Sequence, residues 1–258
     1  MSEKKDSRII RINRFKIRRL MREIENVSLC EAFFNNLKLF KLFLKGGGID
    51  PNQKNSYGYT PLYYAIKYKN VDAIQLLIKY GADVNFQHYD ADTPLIYSME
   101  LGDEKITELL IDGKADINQP SKYHLPPIIK AMYSTNSNIA KLLIEKKCDV
   151  NATAPSGNSK YTALHIAVKQ NQQYVKMLLD GKADVDPETK YGKTPLIEAL
   201  YEEKLNKEIV EMLINNGANL LKKDRSNGET PLSLAEYHST HGNNKNVYEL
   251  MEKISNKK

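Results

Sequence analysis

A short sequence pattern that returns about every 33 residues limits the fold of this chain more than any other feature. Its copies start at Thr60, Thr93, Pro126, Thr162, Thr194 and Thr230. A second apolar stretch such as Leu76-Leu77-Ile78 follows each of the first five copies, and a turn sequence such as Gly81-Ala82-Asp83-Val84-Asn85 comes after it. A unit of this size cannot bury its apolar residues alone, so neighbouring copies have to stack on one another.

The residue types within each copy predict a pair of helices. Thr60 suits the N-cap of a helix, and Pro61 suits the first helical position because that position needs no N–H donor. Leu62 and Ala65 lie three residues apart and are expected to face inward. The same expectation covers three leucines of the second helices, namely Leu109, Leu142 and Leu178.

The turn after the second helix carries its own signal. Gly81 and Gly217 suit a left-handed residue at the end of a helix. Lys114, Lys147 and Lys182 stand at the same place in other copies, so those turns are expected to be less ideal or slightly shifted. The aspartates of these turns are interpreted as turn formers.

The pattern resembles the ankyrin repeat, which has a period of 33 residues and a Thr-Pro-Leu-His-x-Ala start. The resemblance extends over residues 27–258, because Leu29 and Ala32 align with Leu62 and Ala65. It implies an all-α ankyrin-repeat solenoid of about seven helix-turn-helix repeats, with protruding finger hairpins and irregular terminal caps. The expected repeats are 27–55, 56–88, 89–121, 122–156, 157–189, 190–225 and 226–258.

Irregular spacing marks three places in this array. Extra residues fall at 152–159 and 202–207, and a further link over 239–246 is expected to interrupt the last repeat. Insertions of this kind lie in surface turns and leave the stack of repeats intact.

Basic residues concentrate at the N-terminus. Residues 1–26 carry nine Lys or Arg against four Asp or Glu, a net charge of +5, whereas the whole chain has +6. This segment is interpreted as a basic arm or a capping helix, and an arm could contact an acidic partner or a membrane surface or serve in nuclear import. The rest of the chain is nearly neutral, which argues against a continuous phosphate-binding track.

Composition also indicates the compartment. No run of 18 apolar residues occurs, and no apolar stretch follows the basic N-terminus as a secretory signal requires. Cys30 and Cys148 are the two cysteines, and both are expected to be inert buried thiols in a reducing compartment. The sequence therefore favours an intracellular protein that is cytoplasmic, or nuclear if the basic segment acts in import.

No motif in the chain indicates catalysis. Phosphate-binding glycine loops, paired metal-ligand histidines and nucleophile elbows are missing from the sequence. His165 stands at the histidine of the Thr-x-Leu-His pattern, where the resemblance implies a structural role. His238 and His241 have no nearby Cys and no further His beside them, so metal binding is not expected there. No enzyme activity, cofactor or metal is predicted.

Tyrosines concentrate at the positions where the resemblance places partner contacts. These positions lie six, four, three and one residues before the first Thr of a copy, and seven and eight residues after it. They hold ten of the 16 tyrosines, all expected to face solvent: Tyr57, Tyr59, Tyr68, Tyr89, Tyr123, Tyr133, Tyr161, Tyr191, Tyr201 and Tyr237. Asp90 belongs to the same set, whereas Tyr63, Tyr64, Tyr97 and Tyr174 are expected in or near the core.

Two functions fit such a face. Mixed charge with tyrosine anchors favours binding of a protein partner, as an adaptor or inhibitor. Tyr68 and Tyr133 are expected to matter most for binding, and Lys169 little. The alternative is a nucleotide or single-stranded nucleic acid held by tyrosine stacking and lysine contacts. The Lys-, Asn-, Ile- and Tyr-rich repeats are similar to those of host-directed ankyrin proteins of large DNA viruses and intracellular bacteria, although no F-box-like C-terminal segment is recognisable.

Overall fold

The repeated pattern folds as pairs of short helices. The structure is a computed structural model that describes residues 37–45, 50–88, 92–134, 136–154, 160–202, 205–241 and 245–255. Its helices are α1 Leu37–Lys45, α2 Pro61–Lys67, α3 Val71–Lys79, α4 Pro94–Glu100, α5 Glu104–Asp112, α6 Pro127–Met132, α7 Ser137–Glu145, α8 Ala163–Gln170, α9 Gln172–Asp180, α10 Pro195–Tyr201, α11 Lys207–Asn215, α12 Pro231–His241 and α13 Lys245–Ser255. Each expected repeat from 56–88 onward therefore contains one helix pair.

The first helix of a pair begins as the sequence predicts. The Thr60 side chain accepts a hydrogen bond from the backbone N–H of Tyr63 at 3.4 Å, and Thr93 and Thr194 make the equivalent bond. A proline occupies the start of each of these helices. Pro126 replaces the threonine in the degraded copy, and α6 consequently has no side-chain cap.

The second helix of most pairs also has a side-chain cap. The capping side chain is Asn or Asp and accepts a bond from a backbone N–H two or three residues later. These caps are Asn70, Asp103, Asn136, Asn171 and Asn206.

The core consists of the inward sides of both helices. Leu62 and Ala65 are fully buried, and the equivalent leucine or isoleucine with its small partner is buried in the next four copies. In the second helices the fully buried residue is Leu110, not Leu109. The expectation for Leu109 was therefore wrong by one position, since a helix turns by 100° per residue and only one of two adjacent leucines can point straight inward. Leu142 and Leu178 are buried as expected.

The lysine-containing turns keep the same backbone as the glycine turns. Lys114, Lys147 and Lys182 have φ of 74°, 67° and 68°, close to 86° at Gly81 and 93° at Gly217. The expected shift of these turns is thus wrong, because the lysines adopt the left-handed conformation that the turn requires. That conformation costs a non-glycine residue roughly 1–2 kcal/mol, and a cation near the carbonyl end of a helix offsets part of the cost.

Side chains of the turns connect each repeat to the next. The Asn52 Oδ1 atom accepts from the backbone N–H of Asp83 at 2.6 Å, 31 residues later. The same bond recurs as Asn85 to Asp116 (2.7 Å), Asn118 to Asp149 (2.8 Å) and Asn151 to Asp184 (2.9 Å). Within a turn, Asp83 and its equivalents accept from the residue two positions on, which confirms them as turn formers.

The chain divides into two units, residues 1–116 and 117–258. Within the first unit α1 packs on α3, α3 on α5, and α2 on α4. Within the second, the first helices α6, α8, α10 and α12 pack in order, and the second helices α7, α9, α11 and α13 do the same. Helix α1 aligns with the second helix of the expected repeat 27–55, and the residues expected to form the first helix of that repeat lie outside the described residues.

The last helix pair differs from the expectation. Helix α12 continues through Ser239 to His241, and α13 begins at Lys245. The link expected over 239–246 was therefore predicted too long, because residues 239–241 belong to α12 and residues 245–246 belong to α13. The hydroxyls of Ser239 and Thr240 bond to carbonyls of the preceding turn, at Glu236 and Tyr237, so both residues continue the helix.

Candidate binding face

Three finger turns carry an exposed tyrosine at the tip. Tyr57, Tyr123 and Tyr191 stand three residues before the N-cap of a first helix and are 64%, 66% and 48% exposed. A left-handed residue follows each of them, with φ of 83° at Gly58, 60° at His124 and 79° at Gly192. A backbone hydrogen bond closes each finger, for example from the Asn55 N–H to the Tyr59 carbonyl at 3.0 Å. The finger turns therefore project these three rings into solvent.

A second set of exposed tyrosines lies at or near the ends of the first helices. Tyr68 and Tyr133 directly follow the last residues of α2 and α6, Tyr201 is the last residue of α10, and Tyr237 lies within α12. All four side chains are exposed. Seven of the ten predicted face tyrosines are thus solvent-facing in the described part of the chain.

Two predicted face tyrosines are only partly exposed. Tyr59 and Tyr161 stand directly before the first Thr of their copies, at the base of a finger. The Tyr59 ring stacks on His88 with centroids 4.3 Å apart, and the Tyr161 hydroxyl donates to Glu198 Oε1 at 2.8 Å. The expectation of solvent-facing rings was wrong at this position, because His88 stacks on the Tyr59 ring and Glu198 of the next repeat binds the Tyr161 hydroxyl.

The N-terminal unit contains a run of stacked aromatic rings, which we call the aromatic stack. It consists of His88, Tyr59, Tyr63 and Tyr97, with successive centroids 4.3, 4.3 and 5.0 Å apart. Interplanar angles of 21°, 26° and 9° make each contact a stacked one. Burial raises the pKa of the Tyr97 hydroxyl.

His88 also connects two fingers. Its Nε2 atom lies 2.8 Å from the Tyr57 carbonyl, and its side chain is buried. A Cβ atom at Gly58 would meet the His88 ring at 2.8 Å, so glycine is required there both for its positive φ and for this close approach. No local sequence pattern predicted a role for His88, because Tyr59, on which its ring stacks, stands 29 residues earlier in the chain.

The C-terminal unit presents charged residues at the corresponding positions, which we call the ionic network. Glu198 is buried, and its carboxylate accepts from Lys169 Nζ at 2.6 Å and from the Tyr161 hydroxyl. Burial alone would raise the pKa of Glu198, but these two bonds outweigh burial and hold the pKa below its usual value. Burial, and to a smaller extent the hydrogen bond to Glu198, raises the pKa of the Tyr161 hydroxyl to about 12.

The ionic network continues into the last two repeats. Asp224 is fully buried, lies 4.0 Å from Lys193 Nζ, and its Oδ2 is 3.2 Å from the Tyr201 hydroxyl. The Tyr201 hydroxyl also donates to Glu229 Oε2 at 2.8 Å, and Lys193 lies over the Tyr201 ring. Further along, Lys222 and Arg225 both pair with Glu188.

Some predicted residues have other roles or fall outside the described part. Tyr89, Asp90 and the basic segment 1–26 lie outside the described residues. His165 is structural, as expected, because its Nδ1 accepts from the Thr162 N–H and its Nε2 donates to the Lys193 carbonyl at 3.1 Å. Burial lowers the pKa of His165, which keeps the ring neutral.

Reactive groups are sparse in the described part of the chain. Cys148 is a free, buried thiol whose pKa burial raises to about 12, as expected of an inert cysteine. Among the described residues, no group of three or more His, Cys, Asp or Glu is placed to hold a metal ion. None of the described helices is long and apolar enough to cross a membrane.

Comparison with known proteins shows the family. The model described as ankyrin repeats (3 copies) matches residues 29–121, 86–154, 102–191 and 128–224. The chain therefore belongs to the ankyrin repeat family, whose repeat domains are generally non-catalytic scaffolds that typically mediate protein–protein interaction. The fold is the predicted all-α ankyrin-repeat solenoid.

Individual relatives are distant. A putative ankyrin repeat protein of Rickettsia bellii is 43% identical over 58 residues, which is 20% of this chain and 34% of the relative. One of fowlpox virus is 46% identical over 43 residues, 16% of this chain and 8% of the relative. The matches thus span about a third or less of these relatives, and they come from a bacterium and a large DNA virus, as the repeat composition suggested.

Solved structures extend the likeness to most of the chain. The ankyrin repeat domain of Bcl-3 superposes with a TM-score of 0.71 at 20% identity, covering 88% of this chain and 96% of that one. A chain in the structure of the endopeptidase Bd0816 of Bdellovibrio bacteriovorus in complex with the immunity protein Bd3460 gives 0.60 at 20% identity, covering 76% and 99%. At these identities the likeness concerns the fold alone.

Proposed function

We propose that this protein acts without catalysis and binds a protein partner, as an adaptor or inhibitor, through the exposed tyrosines of its fingers and first helices. One observation carries the proposal. Of the eight large apolar side chains that are exposed in the described part of the chain, seven are tyrosines, and all seven stand at a fingertip or on or directly after a first helix. Tyrosine, with tryptophan and arginine, is among the residue types enriched at the anchor positions of protein interfaces.

The charges of the face favour a protein over a nucleic acid. Lys169 and Lys193 pair with the buried carboxylates of Glu198 and Asp224, and Lys222 pairs with Glu188. In the N-terminal unit, Lys54 lies 4.0 Å from the centroid of the Phe86 ring. Binding to a nucleic acid depends on Lys and Arg side chains that neutralise phosphates and release the counterions condensed on them. Lysines that already neutralise carboxylates contribute little to such binding.

The relatives agree with a role in recognition. The Bdellovibrio structure holds a chain of this fold in a complex of an endopeptidase with an immunity protein, which is consistent with the binding of a protein partner proposed here. We further propose an intracellular location, consistent with the free thiol of Cys148. The basic segment 1–26 is proposed to contact an acidic surface on the partner or nearby.

Affinity capture from cytosol, followed by calorimetry with the captured partner, tests the proposal. Tyr68→Ala and Tyr133→Ala should each weaken binding about tenfold or more, because interface tyrosines often contribute about 2 kcal/mol. Leu221→Ala is the matched control, since Leu221 is 62% exposed but lies in a turn after a second helix. Circular dichroism melting curves of all three variants check that folding is intact.

Two results would contradict the proposal. Unchanged affinity for both folded tyrosine variants would move the binding site away from this face. A purified protein with a high ratio of absorbance at 260 to 280 nm, and with nucleotide released on denaturation, would instead support the nucleotide alternative.

A further inference from the structure

A cavity lies between α7 and α9, two second helices of the C-terminal unit that pack on each other, and the turns that follow them. Its volume is about 530 Å³, within the range of about 300–1,000 Å³ that small-molecule sites occupy. The hollow beside the aromatic stack, in contrast, measures about 10 Å³ and has room for one water molecule at most. We call the larger space the inter-helix cavity. None of the exposed tyrosines lines it.

The wall of the inter-helix cavity is apolar. Ile144 of α7 and Met177 of α9 line it from the two helices, and Val150 lines it from the turn after α7. All three side chains are partly exposed, so a ligand in the cavity would remove apolar surface from water. A Cβ atom at Gly181 would lie 2.7 Å from Ile144 Cγ2, so glycine lets the end of α9 approach α7. A ligand that fills this space needs an apolar part.

Charged side chains surround the mouth of the inter-helix cavity. Five of them line it, namely Lys141, Lys147, Lys182, Glu145 and Asp180. Lys141 pairs with Glu145 at 3.8 Å. Within the described part of the chain, the exposed side chains of Lys147 and Lys182 form no ion pair. Two lysines therefore stand against the single carboxylate of Asp180, and the mouth has a net positive charge.

The ends of the two helices offset little of this charge. A helix end is negative because its last carbonyl groups lack hydrogen-bond donors. Here the turns supply donors, from the Lys147 N–H to the Ile144 carbonyl and from the Lys182 N–H to the Leu179 carbonyl, both at 3.0 Å. The ammonium groups of both lysines consequently remain for an anion.

We propose that the inter-helix cavity binds a free amphiphilic anion, an alkyl chain of medium length with an anionic head group. The chain lies against Ile144, Val150 and Met177, and the head group pairs with Lys147 and Lys182 at the mouth. This site is independent of the protein-binding function proposed above, because it uses other residues.

Calorimetric titration of the full chain with decanoate, below its micelle-forming concentration, tests the inference. Decanoate should saturate one site. Decyltrimethylammonium, with the same chain and the opposite charge, should bind at least about fivefold more weakly, because the lysines repel it. Butyrate should bind about tenfold more weakly or less, because it buries less apolar surface. Decyl phosphate is the second anionic probe, and the tighter of the two anions identifies the head group.

Lysine variants test the mouth of the cavity without the risk of unfolding. Lys147→Gly and Lys182→Gly should each weaken decanoate binding about threefold or more, because each removes one ammonium group. Both should melt no lower than the parent protein, since glycine suits the left-handed backbone there, with φ of 67° and 68°. Asp180→Asn should strengthen binding about twofold, because it removes a like charge.

Lys114→Gly is the matched control. Lys114 holds the same position in its own turn, with φ of 74°, but does not line the cavity. This variant should leave decanoate affinity unchanged. The inference would be overturned by unsaturable binding of both anions, by equal affinity for decyltrimethylammonium, or by equal losses from Lys114→Gly and Lys147→Gly.

Discussion

Tyr59 in the N-terminal unit and Tyr161 in the C-terminal unit occupy the same position of their repeats, yet their surroundings differ. Tyr59 stacks on His88 and Tyr63, whereas Tyr161 donates a hydrogen bond to Glu198. His88 comes from the segment that precedes α4, and Glu198 comes from the repeat after that of Tyr161. The role of a face tyrosine is thus decided by its neighbour in the stack, and the repeat position alone does not determine it.

The largest expected effect tests whether the two units share one kind of core. Leu110→Ala in the N-terminal unit and Leu143→Ala in the C-terminal unit should each lower the free energy of unfolding by about 2–5 kcal/mol, because each leaves a cavity. Both leucines are fully buried. Urea denaturation measures the loss. Leu109→Ala, at a partly exposed neighbour, should cost clearly less, and an equal cost would contradict the inward direction assigned to Leu110.

The next effect concerns the ionic network. Lys169→Ala leaves the buried Glu198 carboxylate without its cation and should destabilise the protein by about 1–3 kcal/mol, less than a fully buried pair because Lys169 is partly solvated. The control is Lys141→Ala, which breaks the exposed pair Lys141–Glu145 and should cost about 0.5 kcal/mol or less. If both variants melt at the same temperature, Glu198 does not depend on Lys169.

Acid should weaken the same network. The pKa of Glu198 is lowered from 4.5 in the folded state, so its contribution is complete above that pH and is lost as the pH falls through the folded pKa. The stability difference between the parent protein and Glu198→Gln should therefore shrink between about pH 7 and about pH 3. A difference that stays constant over this range, measured by denaturant unfolding, would mean that the carboxylate is not stabilised by its bonds.

The smallest effect belongs to the aromatic stack. Tyr63→Leu removes contacts to Tyr59 and Tyr97 and should cost about 0.5–1.5 kcal/mol. Because no ion pair is lost, this cost should be the same at low and high salt. Tyr57→Leu, at an exposed fingertip, should be nearly neutral. A salt-dependent loss at Tyr63 would remove the distinction between the two units.

The repeat pattern predicted most of the fold. Thr60 and Pro61 start a helix for local reasons, and Leu62 with Ala65 faces inward because helical spacing puts both on one side. The choice between Leu109 and Leu110 could not be made from the pattern, since two adjacent leucines both fit an apolar stripe. Tyr63 and Tyr97 of the aromatic stack, and likewise Lys169 and Glu198 of the ionic network, come from different repeats. Sequence spacing within one repeat does not show such pairs.

The conformation of the lysines in the turns is a second feature that could not be predicted from the local sequence. Propensity alone favours glycine at a left-handed position, so Lys114, Lys147 and Lys182 suggested altered turns. The structure keeps the turn, because the backbone bonds that close it, such as the Ala115 N–H to the Leu110 carbonyl at 2.9 Å, are formed whichever residue stands there. Tertiary context outweighed a local preference of about 1–2 kcal/mol.

The turn-to-turn hydrogen bonds bear on how such an array can evolve. The position that Asn52, Asn85, Asn118 and Asn151 hold in the earlier turns is occupied by Asp186 in the next turn. The Asp186 carboxylate accepts a hydrogen bond from the Asn219 N–H but, unlike an asparagine amide, cannot donate one. The next equivalent position is Leu221, and its side chain can neither donate nor accept. Duplication of an internal repeat that carries Asn52, Asn85 or Asn118 would preserve the bonding pattern. Duplication directly after Leu221 would not, so new repeats are tolerated best upstream of that residue.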